Sequence, residues 1–157
     1  MTTYTEFVKQ EVMDYFAETK ADSGHAFNYH AFFHSRIVNW NPKQKDAFEE
    51  AINELISEGL IEKNGNSLSL TEKGVEKIYP DPGSSIRDAI LDFFAKCNAR
   101  TGHAFNSKAF FHQVMIHWNP KQKKGYDPAM SELLKAGLVE EKDGIILLTK
   151  KGYDHIY

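Results

Sequence analysis

The strongest constraint on this chain is that it contains one pattern twice. Residues 24–45, GHAFNYHAFFHSRIVNWNPKQK, return at residues 102–123 as GHAFNSKAFFHQVMIHWNPKQK, offset by 78 positions without a gap. Carrying that offset from residues 7–79 onto 85–157 gives 31 identities in 73 pairs, and 15 of them fall within the 22 positions of the block. Self-similarity at a fixed period means repeated structural units. Two are expected, residues 1–79 and 85–157, joined at 80–84 by the breaker-rich linker Pro80-Asp81-Pro82-Gly83-Ser84. A unit of this size can bury only a modest core. The 11 Phe, 7 Tyr and 2 Trp suit it, because aromatic rings bury the most area per residue.

Local chemistry predicts the order of elements within each unit. Thr3 and Glu6 stand at capping-box spacing ahead of Val8, Val12, Tyr15 and Phe16, an apolar face at helical period. Ser85 and Asp88 occupy the corresponding places ahead of Ile86, Ile90, Phe93, Phe94 and Cys97, which places Cys97 on the buried stripe as an inert thiol. His25-Ala26-Phe27 is long enough for one small strand. Asn28 and Asn106 then fit as caps of a second helix reaching about Val38 and Ile116. Asn41, Pro42 and Gln44 open a third helix, with Phe48, Ala51, Ile52, Leu55 and Ile56 inward and Gly59 at its end. In the first unit it should run unbroken from Pro42. In the second, Gly125 and Pro128 should interrupt it, with Asp127 as the new cap. A hairpin follows, turning at Asn64-Gly65 and at Asp143-Gly144, with Leu68 and Leu70 inward and Ser67 and Ser69 outward.

Helix, small strand, helix, helix and hairpin make a mainly α fold with small β-hairpins, in the α+β class. The order resembles the winged helix-turn-helix domain, here in two tandem copies. The specific resemblance lies in ELISEGLIEKNGNSLSLTEKG and its counterpart ELLKAGLVEEKDGIILLTKKG, which are similar to the helix, Gly-Leu-Val/Ile, hairpin and Leu-Thr-x-x-Gly run of winged-helix regulators. The resemblance implies binding to double-stranded DNA, with the third helix in the major groove.

Charge divides the two copies. The chain carries −3 overall, which is not a strong basic footprint. Residues 1–79 hold 8 Lys and Arg against 13 Asp and Glu, whereas residues 80–157 hold 11 against 9. On the first unit's third helix, Asp46, Glu49, Glu50 and Glu54 would repel phosphates; the matching face of the second has Lys124, Asp127, Ser131, Glu132 and Lys135. Lys43 and Lys45 recur as Lys121 and Lys123 in a first helical turn, where cations oppose the helix dipole by roughly 0.3–1 kcal/mol each. Two readings stay open for them: contact with an anion, or apolar stems laid over Trp40 and Trp118. The nucleic-acid candidates are thus Lys121, Lys123, Lys124 and Lys135, with Lys43 and Lys45 auxiliary.

A second function remains in view. Glu49, Glu50 and Glu54 could meet a basic protein partner. Ile145 and Leu147, apolar where a hairpin's outer face is normally polar, could pack on the other unit or on a second chain in a homodimer. His30 and His34 have i, i+4 spacing, but position 108 in the second copy is Lys, so no metal is expected. His25, His34, His103 and His112 are expected to cap turns or bond within their units. No catalytic triad spacing, phosphate loop or carboxylate pair stands out, so the chain is read as non-enzymatic and without a cofactor. The 41% hydrophobic and 26% charged composition, a lone cysteine and the MTTYTEF start without a signal-peptide pattern lead to a soluble cytoplasmic protein with no membrane segment.

Overall fold

The computed structural model describes residues 3–157; of the MTTYTEF start, Met1 and Thr2 lie outside the described residues. The chain divides into two compact units between Pro80 and Asp81. Among the described residues no helix is long and apolar enough to cross a membrane.

In the first unit, α1 (Tyr4–Glu18) starts where the Glu6 N–H donates to Thr3 Oγ1 at 3.1 Å, and it buries Val8, Val12, Met13 and Phe16. The 4-, 1- and 3-residue steps between them keep one face inward. The chain reverses through Lys20 and Gly24, at φ 53° and 85°, and Ala26 forms a single antiparallel bridge to Ser69. Asn28 caps α2 (Tyr29–Ser35), and a 3₁₀ turn (Ile37–Asn39) leads to Trp40. Both arms of the Asn41–Gln44 capping box close at 2.9 Å over α3 (Pro42–Asp46). Next, α4 (Phe48–Ser57) buries Ala51, Ile52 and Leu55. Strands β1 (Ile61–Asn64) and β2 (Ser67–Leu70) pair antiparallel, with Ile61 opposite Leu70, and α5 (Glu72–Ile78) ends the unit. Because Ala26 lies along the other edge of β2, the small sheet reads β1, β2, Ala26 segment.

The Leu-Thr-x-x-Gly run has a physical reason. Thr71 Oγ1 accepts the Gly74 N–H at 3.0 Å, capping α5, and donates to the Gly59 carbonyl at 2.6 Å. A Cβ on Gly74 would stand 2.3 Å from the Leu60 carbonyl oxygen and 2.5 Å from Leu70 Cδ1. Helix α5 therefore lies closer to the hairpin's root than any side chain allows.

The second unit repeats this order: α6 (Ser85–Lys96), the Ala104 bridge to Leu147, α7 (Ser107–Gln113), a 3₁₀ turn (Met115–His117), α8 (Pro120–Lys124), α9 (Tyr126–Lys135), β3 (Val139–Lys142), β4 (Ile145–Leu148) and α10 (Lys150–Ile156). Phe32 and Phe110 are both fully buried, each ringed by aromatic neighbours: Tyr15, Phe27 and Trp40 in one, Phe93, Phe105 and Trp118 in the other.

Several expectations need correction. The third helix is broken at Gly125 in the second unit, as expected, but it is also broken at Ala47 in the first, where an unbroken run was expected. Proline is not the cause. Pro128 sits in the first turn of α9, where a missing N–H would have had no partner in any case, and Asp127 is helical rather than a cap. In the first unit the break leaves the Phe48 ring 5.7 Å from that of Tyr29 and 6.1 Å from that of Phe32. The second helix ends early, at Ser35 and Gln113, because Arg36 and Val114 (φ −131° and −122°) turn the backbone so that Trp40 and Trp118 reach the core. Ser85 is not a cap: α6 begins on it, and its hydroxyl donates to the Pro82 carbonyl at 2.6 Å. The first hairpin turns at Gly65-Asn66, one residue later than expected, since Asn64 pairs with Ser67. Ser69 is buried, not outward, opposite Ala26. Cys97 is exposed, because α6 stops at Lys96 before the apolar stripe reaches it.

Candidate nucleic-acid interface

In each unit the helix that runs straight into the hairpin is the one a winged helix would present to a groove, here α4 and α9. Their outward faces differ sharply. Asp46 at the end of α3 and Glu49, Glu50, Asn53, Glu54 and Ser57 on α4 line one open, shallow face. Glu50 accepts from the Thr5 hydroxyl at 3.3 Å, and Glu54 lies 3.3 Å from Lys9 Nζ. Lys9 also binds Glu58, and Glu6 at 3.4 Å. The hydrogen bond to Glu58, then that to Glu54, hold its ammonium well above the usual lysine pKa, against partial desolvation. Even so, Asp46, Glu49 and Glu50 face water.

On α8 and α9 the balance reverses. Glu132 pairs with Arg87 at 3.1 Å, the counterpart of the Lys9–Glu54 link at the 78-residue offset. Lys123, Lys124 and Lys135 are exposed, whereas Lys121 is half-buried. Lys142 on β3 approaches Glu140 at 3.7 Å.

Lys43 and Lys45 are exposed, and Lys43 Nζ lies 5.9 Å from the centre of the Tyr4 ring. The capping boxes change what the start of α3 and α8 can offer an anion. The Asn41 and Asn119 side chains already take the Gln44 and Gln122 N–H groups, and Pro42 and Pro120 have none. The lysines there act as side-chain charges and share no nest of backbone donors.

The structure also sorts the fifteen identities of the repeated block. Gly24 and Gly102 adopt φ 85° and 89°. His25 and His103 accept the N–H of Asp22 and of Arg100 on Nδ1, each at 3.1 Å, and so cap their turns. Ala26 bridges; Phe27, Phe32 and Trp40 build the ring cluster; Ala31 is half-buried; Asn28, Asn41, Pro42 and Gln44 cap helices. Four pairs remain: Phe33, His34, Lys43 and Lys45, with Phe111, His112, Lys121 and Lys123; of these, Lys43 lies over the Tyr4 ring and Lys121 is half-buried. Phe33 and Phe111 are 37% and 45% exposed. The ring neighbours of Phe33 are Tyr29 and His34 of its own helix, at 6.2 and 5.4 Å; Phe111 lies 5.4 Å from His112. Sequence reasoning missed these two rings. Adjacent residues of a helix point about 100° apart, so two successive Phe could not both face one core. His30 and His34 stand 4.5 Å apart, and among the described residues no cluster of three or more His, Cys, Asp or Glu could hold a metal.

Ile145 is 50% exposed, and Leu147 is half-buried opposite Ala104.

The fold is α+β, mainly helical with two small antiparallel hairpins, and compatible with a winged-helix-like architecture. No family model, no curated protein and no solved structure matches the chain.

Proposed function

We propose that the chain is a tandem winged-helix protein of the cytoplasm that binds double-stranded DNA through its second unit, without catalysis. The observation that carries this reading is the charge carried by α8 and α9: Lys123, Lys124 and Lys135 are exposed while Arg87 pairs with Glu132. Lys121 of the same unit adds to this charge, and Lys43 and Lys45 are auxiliary. Affinity comes from phosphate contacts, because the hairpin tips, Gly65-Asn66 and Asp143-Gly144, carry no arginine for a minor groove. Three phosphate contacts give a slope of log K against log salt of about −2.7. Anisotropy titration of a short labelled duplex at several salt concentrations measures it. Replacing Lys123, Lys124 and Lys135 by Ala should remove most binding and flatten the slope for any duplex sequence. Binding that survives with its slope intact would falsify the assignment.

The open acidic face of α4 favours a second reading, in which Glu49, Glu50 and Glu54 receive a basic protein segment. Replacing the three by Gln then abolishes capture of that partner, whereas DNA affinity stays unchanged or rises.

A further inference from the structure

We propose that His30 and His34 on α2 form half of a zinc site, and that a second copy of the chain brings the other half, so that one metal ion joins two molecules. The inference concerns the first unit and does not depend on the duplex reading.

The two imidazoles stand one helical turn apart on exposed side chains, with ring centres 4.5 Å apart. That spacing on one helix face lets both rings turn a nitrogen to a shared ion. The turn histidines differ, because His25 and His103 already hold an N–H on Nδ1. Within one chain the described residues bring no third His, Cys, Asp or Glu to the pair. A structural zinc is four-coordinate and tetrahedral, with neutral imidazole among its usual ligands. Two histidines from each of two chains complete that set.

The surroundings favour a second copy over a different partner. A two-fold interface sets one patch against itself, so a fixed charge near the axis meets its like. Helix α2, YHAFFHS, carries no Lys, Arg, Asp or Glu. Beside the histidines it exposes Tyr29 and Phe33, and the Phe33 ring lies 5.4 Å from that of His34. Pairing through the metal covers this apolar rim and shields the coordination from water. The second unit lacks the pair. Lys108 stands at the place of His30, where an ammonium has no lone pair for a metal and would meet its own copy. The site therefore occurs once per chain, and bridging closes at a dimer instead of running on from molecule to molecule.

The test adds zinc to the chelator-treated full chain, following mass by light scattering and uptake by calorimetry. Expected is a shift from monomer to dimer at about half a zinc ion per chain, reversed by EDTA. His30→Ala and His34→Ala should each weaken uptake by about tenfold or more and keep the chain monomeric, whereas His112→Ala should behave like the parent. Without zinc all three should melt with the parent, since the replaced rings are exposed. Phe33→Ser should raise the protein concentration needed for the zinc dimer about tenfold, because the rim loses its ring. One zinc per chain with no change in mass would mean chelation without a bridge and overturns the proposal. So does a dimer that forms without zinc or survives EDTA. Uptake that persists when both His30 and His34 are replaced, or the absence of any uptake, overturns it as well.

Discussion

The Tyr79 hydroxyl donates to the carbonyl oxygen of Ala21 at 2.8 Å, across 58 residues of sequence. Tyr157 makes the same bond to Ala99 at 2.9 Å, across the same separation. Each unit's last helix is thereby tied to the turn that follows its first. In the first unit the bond is buried, and burial, with the nearby Asp22 charge, pushes the Tyr79 pKa up to about 12.

A raised tyrosine pKa means that the folded state holds its proton longer than the unfolded chain, whose tyrosine titrates near 10. The contribution is complete below about pH 10 and is lost as pH rises to about 12. Tyr79→Phe should cost about 1 kcal/mol at neutral pH for the lost hydrogen bond. It should also make the first unit's unfolding midpoint fall less between pH 10 and 12 than the parent's, measured by denaturant titration at several pH values.

Gly74→Ala and Gly152→Ala should each destabilise their own unit by about 2–3 kcal/mol or more. The new methyl would meet the Leu60 or Leu138 carbonyl oxygen, and backbone cannot swing aside as a side-chain end can. Two separable thermal transitions, with only the mutated unit's moving down, would confirm the assignment. An unchanged melting profile would refute it.

The paired cross-links between first and fourth helices should differ in strength. Lys9 is 14% exposed and binds three carboxylates, so Lys9→Met should cost about 1 kcal/mol. Arg87 and Glu132 are 43% and 57% exposed, and Arg87→Met should change stability by less than about 0.5 kcal/mol. Denaturant midpoints in low and high salt check both values, since screening weakens the exposed pair more.

On the second hairpin, Ile145→Thr should leave the monomer's stability within about 0.5 kcal/mol. Leu147→Ser should cost more, about 1–2 kcal/mol, because that side chain is half-buried opposite Ala104. A loss of dimer with either variant, read by light scattering, would instead place a second chain on this strand.

What the sequence made legible was chiefly what is decided within a few residues. The Asn28 and Asn41 caps, the glycines of the turns and the Ala26 strand stand as their chemistry implies. The misses came from contacts between distant segments. Nothing around Ala47, a residue of the best helix-forming type, announces a break; ring packing on Phe48 accompanies it. Ser69 reads as outward until the Ala26 segment covers its edge. Cys97 fits the helical period, but the helix ends one residue too soon. The site was less legible than the fold. Lysine positions can be counted in the sequence, yet the partner of Glu132 and the exposure of Phe33 depend on the fold.

The free edges of the two small sheets have a consequence for a chain built of near-twins. Strand β2 is flanked on both sides, as is β4, so β1 and β3, each four residues long, are edge strands of their sheets. Neighbouring repeats of similar sequence are prone to exchange strands while folding, because each is the other's nearest decoy. Glu62 and Lys63 on one edge, and Glu140, Glu141 and Lys142 on the other, are exposed. Short, charged edges make poor templates for foreign strands. Most of what the copies share lies in helices and caps, and the part that could cross-pair is brief and charged, which lowers the misfolding hazard that attends a duplication.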